Sequence, residues 1–201
     1  MTDAVTEYRA RYDGHLQDAA RRLEALIRDH LADAIHVDRI TARAKDPDSF
    51  RVKAARESDS GLKYPHPLTE IQDQLGARVV VYYLADVESV VALVRRYFQP
   101  IELADLVPES EWEFGYFGKH LVLALPRDVM PEGVEPGSMP PFFELQVKTL
   151  FQHAWSEGNH DLGYKPTTPL TSEHQRCLAY AAAQAWGADR MFEELRSELS
   201  A

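Results

Sequence analysis

The run Arg78-Val79-Val80-Val81-Tyr82-Tyr83-Leu84 constrains this chain more than any other segment. Nearly unbroken β-branched and aromatic residues suit a strand covered on both faces, and Arg78 to Leu84 is read as a central buried strand. Such a strand needs partner strands at its sides and helices on its faces.

Residues 142–148, FFELQVK, supply the clearest alternation. Phe143, Leu145 and Val147 point one way, and Glu144, Gln146 and Lys148 the other. Ile101 to Leu106 and Lys119 to Leu125 read as further strands, and the short connections late in the chain favour antiparallel pairs. Helical spacing of Leu16, Ala20, Leu23, Ile27, Leu31 and Ile35 predicts a long helix over residues 3–35. A second helix is expected from Pro47 to about Ser58, and a third, capped by Asp86, buries Val90, Val91, Val94 and Phe98. Residues 149–161 read as helical, with Pro166 and Pro169 breaking the segment. A last helix, capped by Thr171 or Ser172, is expected to bury Leu178, Ala181, Ala185, Phe192 and Leu195. SDSGLKYPHP and the Pro- and Gly-rich stretch from Arg127 read as loops. The expectation is α/β: one domain over 1–201, a mixed β-sheet of about five strands flanked by helices, with long helices at both ends.

No apolar run approaches the roughly 20 residues of a membrane span, and the charged N-terminus lacks a signal-peptide core, so a cytoplasmic setting is expected. The single cysteine, Cys177, is read as a buried small hydrophobe. A net charge of −10 disfavours general binding to nucleic acid or anionic membranes. The cations are nevertheless uneven: Arg39, Arg43, Lys45, Arg51, Lys53, Arg56, Lys63 and Arg78 fall in one stretch.

Within that stretch, RAKDPDSFRVK places Arg43 and Lys45 just before a helix start at Pro47 or Asp48, Ser49 in its first turn and Lys53 one turn on. Cations and free backbone N–H groups at a helix N-terminus suit a polyphosphate. Asp73, Gly76 and Arg78 follow in DQLGARVVVYYL, where a carboxylate can hold a metal beside phosphates. Glu144, on the polar face of its strand, would share one magnesium ion with Asp73 if their strands are neighbours. EFGYFGKHLV brackets Tyr116 and Phe117 with Gly115 and Gly118, a setting in which a ring can stack on a base. Lys119 and His120 open the next strand within reach of phosphate. His153 and His160, seven apart, make a poor metal pair, and Trp155 is read as core.

These pieces, in this order, resemble the synthetase domain of the RelA/SpoT family, the GTP pyrophosphokinases, over about residues 20–165. The resemblance implies that Arg43, Lys45, Ser49, Lys53 and Arg78 bind ATP, that Asp73 holds Mg2+, and that Glu144 is the catalytic carboxylate and a second metal ligand. Tyr116 matches the position that stacks on guanine. Lys119, His120, Gln146, Lys148 and His153 are the remaining acceptor-side candidates, with Trp155, His160, Tyr164 and Lys165 matching downstream positions. The implied fold is nucleotidyltransferase-like. The implied reaction moves pyrophosphate from ATP to the ribose 3′-hydroxyl of GDP or GTP, giving (p)ppGpp and AMP, in a stand-alone small synthetase that forms homo-oligomers. Three departures fall on the acceptor side: Gly118 replaces a serine, PESEWEFGY is acidic, and His153 stands where small synthetases often have asparagine. Toxin-type relatives that modify adenine nucleotides or the tRNA 3′ end are the alternative acceptor reading, with tRNA disfavoured by charge, and a catalytically silent nucleotide-binding module is the third.

Overall fold

The computed structural model describes residues 2–59, 61–105, 115–116, 118–164 and 169–199. The N-terminal helix is two α-helices, α1 (Thr2–Arg11) and α2 (Gln17–His30), joined by a π-helical turn over Tyr12–Leu16. Leu16, Ala20, Leu23, Ile27 and Leu31 are buried as their spacing requires. Ile35 is not: α2 ends at His30, and Ile35 is 68% exposed.

Five strands make one sheet in the order β1 (Val37–Ala44), β4 (Leu75–Val81), β7 (Phe142–Thr149), β6 (Lys119–Ala124), β5 (Pro100–Asp105). β4 and β7 are parallel and the other neighbours antiparallel, so the sheet is mixed. A small hairpin, β2 (Glu57–Ser58) with β3 (Gly61–Leu62), takes up the end of the expected second helix, which stops at Ala54, and the start of the stretch read as a loop. Helices α3 (Pro47–Ala54), α4 (Pro67–Glu70), α5 (Leu84–Tyr97), α6 (Leu150–Tyr164) and α7 (Ser172–Leu199) complete the fold.

One face of the sheet carries Ile40, Ala77, Val79, Leu121, Phe143, Leu145 and Val147 into a core built with α2 and α5. Val87, Val90, Val91, Val94 and Phe98 bury the inner side of α5. Asp86 does not cap α5. That helix starts at Leu84 after Tyr83, and the buried Asp86 carboxylate instead lies 3.2 Å from His36 Nδ1. The central strand runs earlier than its apolar run, from Leu75 to Val81, because Tyr82 and Tyr83 form the turn into α5. The last helix turns differently from the expectation. Ala182 and Asp189 are its buried residues, while Phe192 and Leu195 are half-exposed. Cys177 is exposed on the same helix and not the buried hydrophobe that was expected. Among the described residues no helix is long and apolar enough to cross a membrane.

Candidate active site

The other face of the sheet is polar, and cross-strand register assembles it. Arg43 on β1 lies opposite Gly76 on β4, which lies opposite Glu144 on β7. In the next row Thr41, Arg78, Gln146 and His120 run across β1, β4, β7 and β6. Period-two alternation therefore delivers residues distant in sequence to one floor. Gly76 leaves that floor open between Arg43 and Glu144, since a Cβ there would meet no atom within 4 Å.

A cleft of about 460 Å³ lies over these rows, lined by Arg43, Lys45, Asp73, Gly76, Arg78, Glu144, Gln146, Glu157 and His160 among others. An adjoining lobe of about 500 Å³ shares much of that lining and adds Asp46, Ser49, Lys53, Arg56, His120, Lys148, Ser156 and Asn159. Six basic side chains (Arg43, Lys45, Lys53, Arg56, Arg78, Lys148) face four carboxylates (Asp46, Asp73, Glu144, Glu157) in the two lobes. The cleft is thus locally basic in a chain of net charge −10.

At one end of the cleft Asp73 is gripped by two ammonium groups. Lys45 Nζ donates to Oδ2 at 2.7 Å, and Lys53 Nζ lies 3.0 Å from Oδ1 without hydrogen-bond alignment. Asp46 caps α3, accepting from the N–H groups of Asp48 and Ser49. This corrects the expectation of free N–H groups there. The helix satisfies two of them with its own carboxylate, which leaves the side chains of Arg43, Lys45 and Lys53 as the cationic groups at this end of the cleft.

On β7, Glu144 Oε1 accepts from His120 Nδ1 at 2.9 Å and from Gln146 Nε2 at 2.8 Å. Burial by itself would raise the Glu144 pKa. The bonds from His120 and Gln146, with the charges of His120 and Lys53, outweigh it and hold the carboxyl at about 2. Lys148 Nζ donates to Ser156 Oγ at 3.1 Å, and burial, with the charge of Arg78, pushes its ammonium down to about 8.

Arg78 Nη1 reaches Glu157 Oε1 at 2.8 Å and His153 Nδ1 at 3.2 Å, both on α6. His153 has its pKa lowered by burial and by Arg78, which suits a neutral ring accepting at Nδ1. Glu157, one helical turn after His153, went unnoticed in the sequence, although its i,i+4 spacing was there to read. Trp155 is half-buried and donates to the Leu178 carbonyl, tying α6 to α7.

Two acceptor-side expectations are overturned. Lys119 and His120 are adjacent on β6 and must face opposite sides of the sheet. His120 takes the cleft, and Lys119 pairs with Glu88 of α5 at 3.2 Å. Tyr116 is not in the cleft either. It is 8% exposed, and its hydroxyl donates to Asp189 Oδ2 at 2.7 Å, an oxygen that also accepts from Thr149 Oγ1 at 2.5 Å. A phenol with a buried carboxylate in reach gains both packing and a charge-assisted bond by folding inward. Phe117, residues 108–114, Lys165 and Pro166 lie outside the described residues.

Tyr116→Phe should therefore cost stability, about 1.5–3 kcal/mol for a lost bond to a buried charged group. A urea titration showing wild-type stability would remove Asp189 as its partner.

Asp73 and Glu144 offer hard oxygen donors on one floor, the chemistry magnesium prefers, and the unaligned Oδ1 of Asp73 leaves a buried acceptor to be satisfied. The residues present thus fit a divalent cation bound together with substrate phosphates. Among the described residues no cluster of three or more His, Cys, Asp or Glu side chains would hold a metal unaided.

Comparison with known proteins agrees with this architecture. The chain is 26% identical over 166 residues to the GTP pyrophosphokinase YjbM of Bacillus subtilis, covering 81% of this chain and 74% of the relative. It superposes on Bacillus subtilis small alarmone synthetase 1 bound to its product pppGpp with a TM-score of 0.72 at 24% identity, covering 91% of this chain and 93% of that one. The same synthetase bound to AMPCPP gives a TM-score of 0.68 at 20% identity, over 99% and 97% of the two chains. The family model described as the region found in RelA / SpoT proteins matches residues 42–168, which hold nearly every residue of the cleft, and the chain belongs to that family.

Proposed function

We propose that this protein is a pyrophosphokinase that moves the β,γ-pyrophosphoryl group of ATP to the ribose 3′-hydroxyl of GDP or GTP, releasing AMP. The observation that carries this reading is the floor row Arg43–Gly76–Glu144, with Asp73 held between Lys45 and Lys53 beside it. Family membership and the activity named for the Bacillus subtilis relative point the same way.

Arg43, Lys45, Ser49, Lys53 and Arg78 take the donor. The attacking oxygen forms a bond to the β-phosphorus while the bond from that phosphorus to the α,β-bridging oxygen breaks, and the electron pair leaves with AMP. Such transfers have little covalent help to give, so alignment and charge dominate. Glu144, ionised across the neutral range, accepts a hydrogen bond from the hydroxyl and orients it. Its low proton affinity is no obstacle: once the new P–O bond is forming, the ribose oxygen is a strong acid, and the proton passes to the carboxylate late. Asp73 and Glu144 would hold Mg2+, which supplies charge neutralisation at the transferring phosphates. His120, Gln146, Lys148 and His153 form the acceptor-side wall. Exposed apolar side chains on α7, including Tyr180, Met191, Phe192 and Leu195, support a homo-oligomer, and a cytoplasmic setting suits the nucleotide substrates.

Purified protein with magnesium and ATP labelled in the transferred phosphates should label GDP or GTP. Label in ADP or deacylated tRNA would move the protein to the adenine- or tRNA-directed reading, and label in none of the four would make it a silent binder.

Lys148 gives this reading a pH signature. As pH rises through about 8 its ammonium discharges, and the acceptor KM should rise about 5- to 10-fold between pH 7 and 9 with donor KM little changed. Stability moves the opposite way. The buried charge is a penalty below the folded value and is relieved as pH climbs toward the ordinary lysine value of 10.5. A flat acceptor KM over that range would take Lys148 out of the acceptor wall.

A further inference from the structure

Tyr8 lies outside the matched family region, on α1, yet it is fully buried against the donor lobe. Its ring stacks on Phe50 of α3 with centroids 3.8 Å apart and planes 3° from parallel. Its hydroxyl donates to the Lys45 carbonyl at 2.8 Å and sits 3.5 Å from the Gln74 carbonyl. Those two residues are themselves joined, Lys45 N–H donating to the Gln74 carbonyl at 2.9 Å. Lys45 carries one ammonium that holds Asp73, Gln74 follows Asp73 directly, and α3 carries Ser49 and Lys53. One side chain thus touches all three segments of the donor grip.

The local helix geometry fits this placement. Tyr8 and Leu16, eight residues apart, are both fully buried. A regular α-helix would set such positions about 80° apart around its axis. The π-helical turn over Tyr12–Leu16 widens the turn between them and lets both face inward. Burial, with the negative charge of Asp73 second, raises the phenol pKa, so the hydroxyl keeps its proton and remains a donor.

We infer that Tyr8 is a positioning residue for the donor site, its hydroxyl fixing the backbone of Lys45 against that of Gln74 so that Lys45 and Lys53 meet the donor phosphates together. The inference rests on the cleft being the ATP site. In that case docking of the N-terminal helix is part of donor recognition as well as of folding. A ring without its hydroxyl would still fill the space on Phe50, but Lys45 and Gln74 would keep only their direct backbone bond.

The test is the affinity of a non-hydrolysable ATP analogue with magnesium, measured by calorimetry without acceptor, for wild type, Tyr8→Phe, Lys45→Ala and the double variant. Tyr8→Phe should weaken binding about three- to tenfold, as one lost hydrogen bond implies, while GDP affinity changes less than about twofold. In the Lys45→Ala background the same change should have a clearly smaller effect, since one of the two lysines that the tie positions is then gone. A purely structural tyrosine would lower the melting temperature and leave analogue affinity intact. That result, or an undiminished effect in the Lys45→Ala background, would overturn the inference. If wild type itself failed to bind the analogue, the donor-site reading and this inference would fall together.

Discussion

Asp73→Asn and Glu144→Gln should each reduce pyrophosphate transfer by about 10²-fold or more while leaving the fold intact. Both changes preserve shape and remove one negative charge from the cleft floor. Their effects on binding should differ. In Asp73→Asn the ammonium groups of Lys45 and Lys53 lose their shared carboxylate, so the metal-free ATP analogue should bind at least as well as to wild type. In Glu144→Gln the donor grip is untouched, and His120 and Gln146 lose the ionised acceptor they share. Initial rates, circular dichroism and analogue titration on the same preparations separate these effects. Turnover near wild type in either variant, with an unchanged spectrum, would remove that carboxylate from the chemistry.

Gly118→Ser should be the most damaging single change to stability. A Cβ at this position would overlap the Val147 carbonyl oxygen and lie 2.5 Å from Lys148 Cγ. The obstruction is the backbone of β7, the central parallel strand, which cannot retreat without breaking its pairing with β4. Overpacking of this kind costs about 3 kcal/mol, or a fall of about 6–12 °C in Tm for a chain of this length. A melting temperature within about 2 °C of wild type would show that Gly118 and β7 are not in contact.

The parts of the fold that the sequence made legible were those in which one local signal dominated. The β-branched run of β4, the alternation of β7 and the spacing on α2 each carry burial on a single periodicity. β1 escaped notice because its inward residues, Ile40, Ala42 and Ala44, are mostly alanines of low strand propensity, set between Asp38, Arg39 and Arg43. That strand matters, since it carries Arg43 to the floor. In the site, type and order of residues identified most of the cleft lining. Facing was the harder property. Lys119 was misplaced because adjacency was read without alternation, and Tyr116 because its partner Asp189 lies 73 residues away on a helix read for its apolar side. Tyr8 is defined by a tertiary contact alone, to the Lys45 carbonyl, and no local pattern marks it, whereas Glu157 shares a helix face with His153 at i,i+4.

With Lys45 and Lys53 both on Asp73, this lobe of the cleft carries a triplet of ions of net charge +1. A divalent cation arriving alone meets two like charges at its carboxylate, and a bare triphosphate must draw both lysines away from theirs. Arriving together, the two would exchange partners with the triplet: the lysines would pass to the phosphates and the carboxylate to the cation, so that each group keeps an opposite charge beside it. Each then raises the affinity of the other by the same factor, as reciprocity of coupled binding requires. On the proposed reading, the cleft would therefore favour a metal–nucleotide complex as a single ligand over either component on its own.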